Sequence, residues 1–113
     1  MPRTSLTAVE ITGRTYVGFT VITPFDSSDV GNGNQFTSTG REELLIQNTN
    51  GGSTARKATV YTNTGGVVEY TLAAGAIVTT GIIPVTGFKQ TADGKVYVNA
   101  EHSDIKFKVL QHP

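Results

Sequence analysis

The chain has 113 residues, a formal net charge of zero, and neither cysteine nor tryptophan. That length sets one domain with room for one core, and the lack of cysteine excludes disulfides and thiolate chemistry. Balanced charge argues against nucleic acid or an anionic membrane as partner, because both call for a surplus of Lys and Arg. No apolar run approaches the roughly 20 residues that span a bilayer, and no apolar segment follows Met1 to Ser5, so a secretory signal is not expected. Threonine makes up roughly one residue in six. Its branched Cβ, like those of the plentiful Val and Ile, suits a pleated sheet better than a helix.

In chain order, residues 1–15 read as a polar arm holding one alternating piece, Ala8-Val9-Glu10-Ile11-Thr12. Residues 18–23 read as a strand stopped by Pro24, which lacks the N–H a ladder needs. Residues 25–40 form the longest irregular segment, rich in Asp, Asn, Ser and Gly, with a short strand expected at Gln35-Phe36-Thr37. Long loops in compact domains carry function, so a contact loop is expected here. Thr39-Gly40-Arg41-Glu42 has the spacing of a capping box, which would start a helix. The competing and favoured reading of the residues that follow is a buried strand, because Gly40 and the Asn-Gly stop after Gln47 leave too little room for a helix.

From there the alternation is regular. Ala58, Val60 and Thr62 share one side, with Thr59, Tyr61 and Asn63 opposite. Val96 and Val98 oppose Tyr97. Ile105, Phe107 and Val109 oppose Lys106 and Lys108. Each run closes on a glycine-rich turn, and side chains alternate between faces along a strand. Several apolar stripes need a second sheet to cover them. The expected fold is therefore all-β: an antiparallel two-sheet β-sandwich, jelly-roll-like, of about eight short strands. Its bounds are an N-terminal arm over 1–15 and one sandwich domain over 16–113.

Chemistry-bearing clusters are few. Glu101-His102-Ser103-Asp104 contains the residue types of a hydrolase triad, but neighbours on an extended chain diverge, so a turn is the better reading. Asp26, Asp29, Asn32 and Asn34 could offer oxygens to calcium, although the order does not match an EF-hand and these residues also simply make turns. The Gly31-Asn32-Gly33 and Gly51-Gly52 segments lack the Lys-Ser/Thr and helix of a phosphate loop. Lys106 and Lys108 read as a solvated face or as guards against edge pairing. His112 reads as free near the terminus. No catalytic set, metal or cofactor is expected.

The run from Glu43-Leu44-Leu45-Ile46-Gln47-Asn48-Thr49-Asn50-Gly51 onward resembles small tailed-bacteriophage virion proteins of the capsid decoration, or cement, type. The resemblance continues through Ala58-Thr59-Val60-Tyr61-Thr62, the turn in Tyr70-Thr71-Leu72-Ala73-Ala74-Gly75-Ala76, and a loop reaching Phe88. It ends with Asp93-Gly94-Lys95-Val96-Tyr97-Val98 and Ile105-Lys106-Phe107-Lys108-Val109-Leu110. It implies a non-enzymatic structural protein that binds the outer surface of a phage head and stabilises it. The implied partner is the major capsid protein, with a trimer as the implied oligomer, and the implied location is the virion, assembled in the host cytoplasm. The alternative is a carbohydrate- or receptor-binding sandwich of a tail or fibre, which exposed aromatic platforms or loop calcium would favour. The residues taken as capsid contacts are Val9 and Ile11, by strand addition from the arm, and Phe25, Phe36 and Phe88, as aromatic anchors beside loops.

Overall fold

The computed structural model describes residues 3–10 and 25–112. The strand expected over residues 18–23, and Ile11, Tyr16 and Phe19, lie outside the described residues. The elements in chain order are β1 (Thr4–Ser5), β2 (Val9–Glu10), β3 (Asp26–Ser27), β4 (Asn34–Thr37) and β5 (Glu42–Asn48). They continue with β6 (Arg56–Tyr61), β7 (Val67–Leu72), β8 (Ile77–Ile82), β9 (Lys95–Ala100) and β10 (Ile105–Gln111).

Two sheets face each other. One runs β1-β4-β9-β6-β7, the other β2-β10-β5-β8, with β3 also on β10. Taken from β3 onward, the first sheet holds the second, seventh, fourth and fifth strands, and the other holds the first, eighth, third and sixth. That is the strand order of a jelly roll, so the sequence expectation holds for the body of the molecule. The additions are β1, which pairs parallel to β4, and β2, which pairs parallel to β10. Two-residue strands carry no readable alternation, which is why neither β1 nor β3 is visible in the sequence.

Residue parity decides the layers. β10 buries Ile105, Phe107 and Val109, and β5 buries Leu44 and Ile46; across from them stand Val96, Val98 and Ala100 of β9, Ala58 and Val60 of β6, Phe36 of β4 and Leu72 of β7. Burying each large side chain of this set contributes roughly 1.5–3 kcal/mol. Lys106 and Lys108 do point away from this core, but β10 is an interior strand flanked by β5, β2 and β3, so they guard no edge. Lys108 is mostly covered, with its Nζ 3.6 Å from Asp26.

The Thr39–Glu42 motif does what its residues are built to do, without a helix. The Thr39 amide donates to Glu42 Oε1 at 2.7 Å, and the Thr39 hydroxyl donates to Oε2 at 2.6 Å. The chain then continues extended as β5. The Thr39–Glu42 bonds are local, whereas the alternation of Leu44 and Ile46 decides the longer element.

Two buried asparagines tie loops to the sandwich. Asn48, fully buried at the end of β5, donates through Nδ2 to the carbonyls of Thr54 at 3.1 Å and Leu72 at 3.0 Å, and its Oδ1 accepts from the Asn50 amide. Asn34 accepts from the Asp29 amide at 2.8 Å and donates to the Thr4 carbonyl at 3.3 Å. Buried amides with such partners hold a single geometry, because each lost bond leaves a desolvated group.

Candidate functional site

The side of the β1-β4-β9-β6-β7 sheet turned away from the core carries the most organised polar cluster among the described residues. It follows from parity. On β9, Val96 and Val98 point inward, so Lys95, Tyr97 and Asn99 point out; on β6, Ala58 and Val60 point inward, so Thr59 and Tyr61 point out. β4 adds Gln35 opposite Tyr97, and β1 adds Ser5 opposite Gln35.

Arg3 organises this face. Its Nη1 donates to Asn99 Oδ1 at 2.6 Å and to the carbonyls of Asn34 and Val98, both at 3.2 Å. Its guanidinium carbon lies 4.5 Å from the centre of the Tyr97 ring and 5.4 Å from that of Tyr61. A planar cation over aromatic faces is attracted by their quadrupoles. Asn99 completes the group by donating to the Tyr61 hydroxyl at 2.9 Å, and the Tyr97 hydroxyl donates to Asp93 at 2.7 Å. That bond to Asp93, with the neighbouring carboxylate charge, pushes the Tyr97 phenol up from its ordinary value.

Gly33 makes the approach of Arg3 possible. Its φ is +84°, and a Cβ there would lie 2.2 Å from Arg3 Nη1 and 2.4 Å from Asn99 Oδ1. Only glycine combines that backbone with that closeness. Below it, the loop is held by Asp29. The Thr4 hydroxyl donates to its Oδ2 at 2.5 Å, and the Asn32 amide donates to Oδ1 at 3.1 Å. The Thr4 bond, followed by the Asn32 bond, lowers the Asp29 carboxyl below its usual range. Of the four residues weighed as calcium ligands, Asp26, Asp29, Asn32 and Asn34, two have side-chain oxygens that accept bonds from the protein: Asp29 from Thr4 and Asn32, and Asn34 from the Asp29 amide.

Of the five residues expected to be contacts, four are described. Val9 is half-buried and sits in β2 opposite Leu110, so its strand addition is to its own sheet. Phe36 is 2% exposed and belongs to the core, so as an anchor for a partner it is corrected: its parity in β4 points it between the sheets. Phe88 is half-buried against the core, and Phe25 is half-buried before β3. Ile11 lies outside the described residues. Tyr61 and Tyr97 do not stand out in the sequence as a site, although both occupy outward positions of alternating strands, and that parity is the signal that marks them.

The turn at residues 101–104 joins β9 to β10, as the sequence suggests. His102 Nδ1 does approach Asp104 Oδ2, at 3.3 Å, and Nδ1 accepts from the Asp104 amide at 3.0 Å. Ser103 makes no hydrogen bond to His102 among the described residues. Asp104 instead anchors the neighbouring loop, accepting from Asn50 Nδ2 at 3.0 Å and Arg56 Nε at 3.2 Å. The Asn50 bond is the leading reason its carboxyl lies below the usual range. His112 is tied as well, with its amide donating to the Arg41 carbonyl and its Nε2 2.8 Å from Glu43 Oε1.

Compared with protein-family models, with curated proteins and with solved structures, the chain matches none.

Proposed function

We propose that this chain is a non-enzymatic structural protein of a phage particle, which decorates the outer surface of the head by presenting the Arg3–Tyr61–Tyr97 face to the major capsid protein. The sequence resemblance names the class. The observation that carries the choice of surface is the arginine held over two tyrosine rings on an outward sheet face. Tyr and Arg are the residues enriched at protein contacts, and here their rotamers are fixed before any partner arrives, which reduces the entropy lost on docking. The surrounding Thr, Asn and Gln suit a hydrogen-bonded, wet contact. Many copies on a symmetric shell would add avidity to a modest single affinity.

The same geometry weighs against sugar recognition at this face. A sugar stacks on an open ring face, whereas Arg3 already lies over both rings.

The test uses empty heads assembled from the major capsid protein encoded in the same genome. The intact chain should co-sediment with them saturably, and Tyr61→Ser with Tyr97→Ser together should abolish this while leaving the fold intact. Binding by the double variant equal to that of the intact chain would remove this face from the proposal. No binding by the intact chain would remove the capsid reading itself.

A further inference from the structure

Among the described residues, the sandwich is closed on one side and open on the other. β4 is covered by β1, and β10 by β2 and β3. The opposite side ends in β7 and β8. β8 is blunted: its register against β5 shifts between Glu43 and Leu45, Gly81 takes a φ of +71°, and the Thr79 and Thr80 hydroxyls bond to local backbone. Such irregularities spoil an edge as a template.

β7 has none of these defences. It is six residues of regular strand, Val67–Leu72, without Pro, Lys or bulge. The Thr62 amide donates to Gly66 O at 2.9 Å, which makes 62 and 66 a hydrogen-bonded pair. In an antiparallel ladder such pairs alternate, so Val68, Tyr70 and Leu72 bond to β6, while the N–H and C=O groups of Val67, Glu69 and Thr71 point outward from the sheet edge. Val67 and Val68 are 52% and 36% exposed, and Ile77 and Ile82 of β8 are exposed as well.

We infer that the β7 edge is a self-association surface, on which a second copy of this chain pairs antiparallel about a two-fold axis through Tyr70. The strand is complementary to itself in that register. Glu69 and Thr71 of one copy form hydrogen-bonded pairs with Thr71 and Glu69 of the other. Tyr70 meets Tyr70 at the axis as a close, non-hydrogen-bonded pair, and Val68 faces Leu72. Shifting the axis one residue toward Val67 would set Glu69 against Glu69, and like charges directly opposite destabilise a ladder, while shifting it toward Leu72 would set Glu69 against Ala73, beyond the end of the strand. Aromatic pairing at the axis favours the register without that clash. The resulting interface is isologous, and the two five-stranded sheets become one continuous sheet. This surface does not depend on the capsid reading.

Sedimentation velocity on the full chain over a concentration series tests it, and a monomer–dimer equilibrium is expected. Thr71→Pro removes an outward N–H that β6 does not use, a position where an edge strand tolerates proline. It should weaken dimerisation at least roughly tenfold with an unchanged β-sheet circular dichroism spectrum. Should that variant misfold, cysteine pairing reads the same register in a chain with no cysteine of its own. A mixture of Glu69→Cys and Thr71→Cys should oxidise to a mixed disulfide dimer, and neither variant should crosslink alone. A monomer at all concentrations, a trimer, a dimer indifferent to folded Thr71→Pro, or Glu69→Cys crosslinking to itself would each overturn the inference.

Discussion

Glu42 is 1% exposed, yet it carries a charge. Burial alone would push its carboxyl up. The Thr39 hydroxyl and amide, the Gln111 amide and the Arg41 backbone outweigh that and hold it below its ordinary value of 4.5. A carboxyl lowered in the fold stabilises it fully above the unfolded value and loses that contribution as pH falls through the folded value. Asp29 and Asp104 act in the same direction from an ordinary value of 3.8. Urea midpoints should therefore fall as pH drops from about 6 to about 3, and Glu42→Gln should flatten part of that slope. An acid dependence identical in the two proteins would mean the Thr39–Glu42 bonds contribute nothing. Gly33 is the second telling residue. Gly33→Ala imposes a left-handed backbone on a Cβ and drives it into Arg3, so a loss of about 2 kcal/mol is expected in urea unfolding, with Arg3 displaced from Tyr97. Phe107→Ala, at a fully buried site, should cost about 3–5 kcal/mol, and a loss under about 1 kcal/mol would mean that the parity of β10 is misread.

Among the elements, the long alternating strands were legible because their physics is local. β6, β9 and β10 write their inner and outer faces in successive residues, and their ends fall at glycine-rich turns. What escaped was written at a distance. Arg3 bonds to Val98 and Asn99 from the far end of the chain, and no spacing rule links residues so separated. β1 and β3 are too short to show a period. The Thr39–Glu42 pair shows a local motif satisfied inside a fold of another class, because its bonds need only an extended turn. Within the segment read as an N-terminal arm, the described residues 3–10 reach both sheets, with β1 paired to one, β2 to the other, and Leu6 buried in the core. Deleting residues 1–10 should therefore lower stability by about 2 kcal/mol or more, the scale of one buried leucine, while leaving β4 to β10 folded. Unchanged urea stability in that variant would show that the strap does not pack as described.

At the scale of the whole molecule, the described residues form a jelly roll with two outward sheet faces, one side closed by β1, β2 and β3 and one side ending in β7 and β8. The closed side is held by the N-terminal strap, which also delivers Arg3 to the tyrosines. The face they form is pre-ordered and polar, suited to docking against a large surface. The open side carries a regular strand with outward backbone groups, suited to a second copy. A two-fold pair would carry two such polar faces side by side, which doubles the contact with a shell without new chemistry. The most direct measurement is a density map of heads saturated with the intact chain. Added density is expected on the outer shell, with the sheet bearing Tyr61 and Tyr97 turned toward the capsid protein. Heads without added density, or copies seated through the opposite sheet, would contradict the proposal.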